Sequence, residues 1–561
     1  MRRQSGPPDL RLLPPVLAGW AATWIGLSLP PPVTAVAATA MALGGIVGMV
    51  QARRRVAAHP LAPEPWSAGL CTLLLVAAGL ALSAALHVAV GTNGPVPGLA
   101  AESAFVGTAL TVTGDPRRVE SHSPRASSGA AARSGSGSVS DSGSASDRAS
   151  GSGANPSTLV LVPVRITLVT TEDGASYQVG TSATVMAKPR SHADLDAWLG
   201  LLPSEHLLVS GRLEPARGGT RDAALLIARG APKVVGGPSA LQSLAGSLRA
   251  DLRDAASGLP AEEAGVLPAL TVGDTSHEPT ELSEALKRTG LTYLTVVSGE
   301  NLVFTTAALL PVARWAGLRG RAVTGASAVF VLGFTVLARP GPPMVRATVM
   351  SLLGCVASLS GRRFRALATM AAAVLILLLV DPWLAHTYGF ALSVAATAGL
   401  LIIAPGWCDR MLDRGVPLWA AGPAAATAAA EVFCEPLLVI FTGSLPLIAV
   451  PCNVLAVPAA PAATVLGIGA MAADAVSPAL GHAAAWVAQW PVRWICLVAR
   501  TGAQVPGAAI GWPSGLGGCG LLLGCYVVAW RLALRVHARL TYATGGSTPL
   551  CRTDLDKIGL V

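Results

Sequence analysis

Twelve runs of apolar residues, most of them about as long as a lipid bilayer is thick, constrain this chain more than any motif in it. Lipid tails offer no partner to a backbone N–H or C=O, so such a run has to close its hydrogen bonds within itself, as a helix. The runs lie near 12–29, 33–50 and 67–90, then near 291–313, 322–338, 343–359, 366–380, 386–404, 417–441, 443–471, 481–500 and 516–536. The 443–471 run carries Pro446, Pro451, Pro458 and Pro461. Those prolines predict a broken or re-entrant segment, covered by protein or lining a wet cavity. A chain of 561 residues that is 52% hydrophobic and 13% charged is too apolar for a soluble protein.

Arginine placement orients the spans. Arg2, Arg3 and Arg11 precede the first run, and Arg53, Arg54 and Arg55 follow the second. Later clusters are Arg319 and Arg321, then Arg362, Arg363 and Arg365, then Arg410 and Arg414, and finally Arg535 and Arg539. The positive-inside rule places all of them, and both termini, on the cytoplasmic side. The formal net charge of +9 therefore reads as loop charge before it reads as a nucleic-acid surface. The third run exits, so the polar region from 91 to 237 faces outward. Trp20, Trp24, Trp66, Trp383 and Trp530 stand where an interfacial aromatic belt would anchor. The first run is expected to be a retained helix, because a second run and an Arg cluster follow it at once. None of the nine cysteines falls between 91 and 237, and no C-x-x-C pair occurs, so neither a disulfide framework there nor a zinc or redox site is expected.

The outward region reads as β-structure. "TLVLVPVRITLV" alternates from Thr158 to Val169, "EHLLVSGRLEP" and "DAALLIARG" are further short strands, and "TEDGAS" is a turn. Short strands in this number suit a small barrel such as an OB-fold. A Ser/Gly-rich insertion from Ser121 to Ser157 has almost no large apolar residue and reads as a solvated, flexible loop. Beyond it, Leu241, Leu244, Leu248, Leu252 and Leu259 recur at helical spacing, with Arg249, Asp251, Arg253 and Asp254 among the polar positions. This helix is expected in the membrane interface, with packing on the outward domain as the other arrangement. A second helix, "PTELSEALKRTG", has acids early, bases late, and Gly290 where a C′ residue belongs. The predicted fold is a polytopic α-helical membrane protein with an extracytoplasmic small β-barrel (OB-like) domain. Its parts are N-terminal membrane helices (1–90), the outward domain (91–237, insertion 121–157), interfacial helices (238–290), a second membrane block (291–536) and a cytoplasmic tail (537–561).

No familiar catalytic motif survives inspection. "HEPTE", His277 to Glu281, looks like a zincin helix, but Glu281 replaces the second His and Pro279 breaks the spacing. No His-rich metal cluster and no Gly-Lys-Ser/Thr phosphate loop is present, so no metal-dependent nuclease, ATP site or cofactor is expected. Ser298 in "VVSGEN" lacks a nucleophile elbow. The polar residues inside apolar runs carry more information: Glu300, Asn301, Arg346, Asp381, Glu431, Glu435 and Asn453. A charge at membrane depth costs about 2.5–3.5 kcal/mol on insertion scales, so such residues face a partner or a wet path. For Arg346 with Glu300, Glu431 or Glu435, ion pairing and pore lining stand open equally. Asp381 is read as a helix cap or a surface residue.

Four of these segments, in order, resemble the ComEC family, the membrane channel through which transforming DNA enters bacterial cells. "LTVGD…LSEALKRTGLTYLTVVSGENLVF" is similar to the family pattern at Gly273, Asp274, Thr289, Gly290, Ser298, Gly299 and Asn301. "RPGPPMVRATVM" matches at Pro343, Arg346 and Ala347, and "DPWLAHTYGFALS" at Asp381, Pro382, Gly389, Phe390, Leu392 and Ser393. "GSLPLIAVPCNVLAVP" matches at Pro446, Asn453 and Pro458. The resemblance implies a plasma-membrane channel for single-stranded DNA, with 291–536 as the channel domain. It also implies functional positions at Gly273, Asp274, Ser298, Gly299, Asn301, Arg346, Asp381, Gly389 and Asn453. Gly299 is expected to loosen the helix or admit a close neighbour. The implied partners are single-stranded DNA, membrane lipids, a DNA receptor, a cytoplasmic helicase, a separate nuclease and further copies of the chain. Many family members carry a C-terminal metallo-β-lactamase-like domain and a cystine in the outward domain. This chain is expected to lack both, which leaves strand degradation to another protein. Two readings compete with the channel: a non-conducting membrane scaffold of the same fold, and a transporter of another anionic solute.

Overall fold

The computed structural model describes residues 11–58, 65–120, 158–216, 220–295, 299–339, 341–361 and 365–543. The Ser/Gly-rich insertion, Ser298 and the last eighteen residues lie outside them, as does the side chain of Glu300. The chain divides into two compact units, one of residues 90–240 and one formed by the segments before and after it.

The helical unit begins with α1 (Leu13–Ser28), α2 (Pro31–Ala58) and α3 (Pro65–Thr92). Prolines open all three, where a helix has no use for the missing N–H. Unit two contains α4 (Pro95–Ala101), β1 (Phe105–Val112), β2 (Arg117–Glu120), β3 (Thr158–Thr171), β4 (Ser176–Ala187), α5 (His192–Leu199), β5 (His206–Pro215), β6 (Ala224–Ala228) and β7 (Lys233–Gly236). Strict alternation sends Val106, Leu110, Val160, Val162, Val164, Ile166, Leu207 and Leu213 into one core that also buries Trp198 of α5. β1 pairs antiparallel with β3 and β5, β3 with β4, and β5 with β6, while β4 and β6 run parallel. The pairing path β1–β3–β4–β6–β5 thus returns to β1. The β3–β4 turn falls on Gly174, whose φ of 81° needs a glycine.

The helical unit resumes with α6 (Ala240–Ala256), α7 (Ala261–Val272), α8 (Thr280–Arg288), α9 (Thr292–Thr295), α10 (Gly299–Trp315), α11 (Arg321–Leu337), α12 (Pro342–Leu359) and α13 (Ala366–Val380). A 3-10 turn, Pro382–His386, leads into α14 (Tyr388–Ile402), α15 (Ala404–Asp413), α16 (Leu418–Thr442), α17 (Ala449–Ala456), α18 (Ala460–Asp474), α19 (Pro478–Gln504) and α20 (Gly515–Ala543). Strand β8 (Ser444–Leu445) pairs with β9 (Ile510–Gly511).

Among the described residues the twelve apolar runs are largely helical, the 443–471 run entering through strand β8 and a turn before Ala449. Among the described residues, six helical stretches are long and apolar enough to cross a membrane: α2, α3, α12, α16, α17–α18 taken together, and α20. A seventh forms if α14 and α15, bent by 41°, make one span. The other runs are shorter or more polar. The fold is that of a multi-pass helical membrane protein. The Pro-rich run is broken before Ala449, at Pro446. It stays helical from Ala449 to Asp474, tightening to a 3-10 turn at Val457–Ala459. Pro451, Pro458 and Pro461 each sit in the first turn of their own piece, where no N–H partner is lost.

The face that α6 buries differs in part from the leucine stripe. Leu241 and Leu244 are 58% and 59% exposed, whereas Arg249 is only 7% exposed. The inward side is Ala245, Arg249, Leu252 and Ala256, so Leu252 of the stripe is buried and Leu248 and Leu259 pack against cores, while its first two leucines do not. The cause is α7, buried from Gly265 to Val272 in a core shared with α8, α18 and α19. Its C-terminus demands a donor, and Arg249 supplies it.

Candidate functional site

The site is assembled around the end of α7. Gly273 takes the left-handed conformation, φ 71° and ψ 24°, and stops the helix. The Gly273 N–H returns to Ala269 O at 3.0 Å and the Asp274 N–H reaches back to Pro268 O at 3.3 Å. That closure leaves the Leu270 and Val272 carbonyls without partners inside the helix, at its negative end. Asn301 Nδ2 donates to Leu270 O at 3.0 Å, and Thr464 Oγ1 adds a longer contact at 3.4 Å. Arg249 Nη1 donates to Val272 O at 2.9 Å and also to Leu337 O, the last residue of α11, at 3.2 Å. One guanidinium therefore ties two helix C-termini together.

Asp274 compensates that buried charge. Its Oδ2 lies 3.5 Å from Arg249 Nη2 and accepts from Arg253 Nη1 at 2.8 Å. Its Oδ1 accepts from the Ser276 hydroxyl at 2.6 Å and the Ser276 N–H at 3.2 Å. Burial by itself would raise the Asp274 carboxyl. The Arg249 charge, the Ser276 hydroxyl and Arg253 outweigh burial and hold it below its ordinary value.

The other motif positions connect outward from this centre. Gly299 opens α10, and a Cβ there would stand 2.7 Å from Ala347 Cβ on α12. Of its two expected roles, the geometry shows the close neighbour. Arg346 on α12 is buried; its Nε donates to Ser393 Oγ of α14 at 2.9 Å and its Nη1 meets Met350 Sδ at 2.9 Å. Among the described residues it meets neither Glu431 nor Glu435. Glu435 instead accepts from the Tyr526 hydroxyl at 2.7 Å. Gly389, at the start of α14, packs beside Pro343. Asp381 caps the 3-10 turn by accepting the Trp383 N–H at 3.2 Å. Asn453 Oδ1 accepts from the Tyr293 hydroxyl at 2.7 Å, and Asn453 Nδ2 donates to Ala449 O at 2.9 Å. Gly290, with φ 68°, lets Ala449 close over it.

The structure thus links Gly273, Asp274, Gly299, Asn301, Arg346, Gly389 and Asn453 through helices that touch pairwise, with Asp381 closing the loop before α14. Sequence reasoning missed Arg249, Arg253, Ser276 and Tyr293. The usable signal was a pair of arginines one turn apart, Arg249 and Arg253, on a helix whose other polar positions are mixed.

The class is that of a multi-pass helical membrane protein. Residues 270–538 match the family model described as Competence protein. A stretch of 200 residues, 36% of this chain, is 26% identical to ComE operon protein 3 of Bacillus subtilis (strain 168) and spans 25% of that protein's length. No solved structure matches the chain. Residues 270–538 thus carry the domain of the competence protein family. Asp274, Asn301, Arg346, Asp381, Gly389 and Asn453 lie inside the matched segment, while Arg249 and Arg253 precede it.

Proposed function

We propose that this protein is a membrane channel for uptake of single-stranded transforming DNA across the plasma membrane. The observation that carries the reading is the family match over residues 270–538, which takes in the motif positions from Gly273 to Asn453. Unit two fits the same role. Its strand path returns to β1 with β4 and β6 parallel and α5 between β4 and β5, which we read as an OB-like barrel. Such barrels present single strands on their outer strands and loops. Arginine placement favours cytoplasmic termini and an outward barrel. A DNA receptor outside, and a helicase and a separate nuclease handling the strand, complete the partners of this reading. It assigns no catalysis to this chain.

One observation favours a non-conducting scaffold: Asn301, Arg346 and Asn453 spend their hydrogen bonds on helix ends and neighbouring helices. Arg346→Gln separates the two. It keeps length and polarity but removes the charge. For a channel, uptake of labelled DNA per membrane-inserted copy falls while abundance is kept. Unchanged uptake supports the scaffold.

A further inference from the structure

Helix α19 runs through the middle of the helical unit and leaves one face open. Its inner face, including Ala485, Ala488, Val492, Ile495 and Ala499, is buried against α7, α8 and α18. The opposite face carries Trp486, Trp490 and Trp494, which are 58%, 54% and 44% exposed. They stand one turn apart, rising about 6 Å per step. The Trp486 and Trp490 rings meet edge to face with centroids 6.2 Å apart. Arg493 lies over Trp490, 6.0 Å from its ring centroid. Trp494 is held by a hydrogen bond from its Nε1 to Leu455 O at 2.8 Å. No acidic residue occurs between Pro478 and Gln504. Arg500, further along, is paired with Glu262.

Depth decides what this face meets. A three-residue turn joins α18 to α19, and the two helices pack along their length as a hairpin. α18 belongs to Ala449–Asp474, a stretch long and apolar enough to cross a membrane, and a crossing there would carry α19 beside it. Arg493 then lies within about 3 Å of helix rise from the midpoint of α19. A mid-depth arginine facing lipid is disfavoured by about 2.5–3.5 kcal/mol. Tryptophans that anchor to a membrane surface gather at helix ends, whereas these three flank the middle. The face therefore borders a wet path or a polar partner. A ligand that offers both flat rings to stack and phosphates to pair satisfies the tryptophans and Arg493 together.

We propose that the Trp486–Trp490–Trp494 face of α19 is a stacking rail for the bases of a translocating single strand, with Arg493 holding a backbone phosphate. This inference rests on the DNA-uptake reading above and names part of its path.

The test uses the purified full chain in lipid nanodiscs and a thymidine oligonucleotide bearing 5-iododeoxyuridine. Near-ultraviolet irradiation cross-links the halogenated base to a stacked ring, and peptide mapping locates the adduct. The expected adducts fall on Trp486 or Trp490. Trp490→Leu is expected to weaken strand binding on the order of tenfold, with Trp490→Phe restoring most of it. Arg493→Gln is expected to flatten the slope of log affinity against log salt by about 0.7. Strand binding with adducts only elsewhere, and a Trp490→Leu affinity equal to the parent's, overturns the rail and leaves the uptake reading standing. A parent chain that binds no strand overturns both. If Trp490→Leu alters oligomer size but not strand affinity, the face belongs to a second copy of the chain and the rail is wrong.

Discussion

Asp274 and Asn301 show what a buried polar residue does when it is not exposed to a path. Each satisfies the end of α7, Asn301 directly and Asp274 by compensating Arg249. Removing one partner of a buried charge pair leaves the other uncompensated, at a cost of about 3–5 kcal/mol. Asp274→Asn should therefore lower the thermal unfolding midpoint strongly at neutral pH. The pH dependence has a definite sign. The folded carboxyl is held below its ordinary value of 3.8, so its stabilising contribution is complete above that pH and is lost as pH falls through the folded value. The gap between parent and Asp274→Asn, measured by melting in nanodiscs, should be wide at pH 7 and narrow below the ordinary carboxylate range. A gap that widens in acid contradicts the assignment. Asp274 and Asn301 could be singled out from sequence because they stand in recognisable motifs. Their partners could not, because Asn301 reaches a carbonyl 31 residues away and Arg249 sits where hydrophobic spacing predicts the solvent side.

At the scale of elements, the apolar runs were legible because a buried or lipid-facing helix must be apolar over its whole length. Which runs would qualify as spans by themselves was less so. α13 and α14 are strongly apolar but only 15 residues each, and the 41° bend between α14 and α15 falls just before Pro405, which cannot continue the hydrogen bonding of α14. The prolines of 443–471 mark real interruptions, the turn at Pro446 and the 3-10 turn at Pro458, but the helical character from Ala449 onward depends on where each piece starts. The Gly299 contact offers a sign test at this scale. Alanine has the higher helix propensity, by roughly 0.8–1.0 kcal/mol. A Cβ at Gly299 nevertheless collides with Ala347, and overpacking costs about 1–3 kcal/mol. Gly299→Ala should therefore lower the melting midpoint. A raised midpoint would show that α10 and α12 do not pack this closely.

For the whole molecule, the two units differ in the kind of evidence their sequences offer. Strands β3, β5 and β6 of unit two were readable from alternation, since each has one face in a core, whereas β1, β2, β4 and β7 were not picked out. Nor was the closure of its strand path, because it depends on pairings between β1 and β5 and between β4 and β6 that are distant in sequence. The orientation proposed from the arginine clusters predicts that an epitope inserted at Gly174, in the β3–β4 turn, binds antibody on intact spheroplasts. Labelling only after permeabilisation would reverse the orientation.

The channel reading is tested most directly by internalised DNA in a competent host. Cells lacking this protein should bind fluorescent DNA at their surface as the parent does but accumulate no nuclease-protected label in the cytoplasm, and the full chain supplied in trans should restore it. Protected label at the parent's level in the deletion strain would contradict the account.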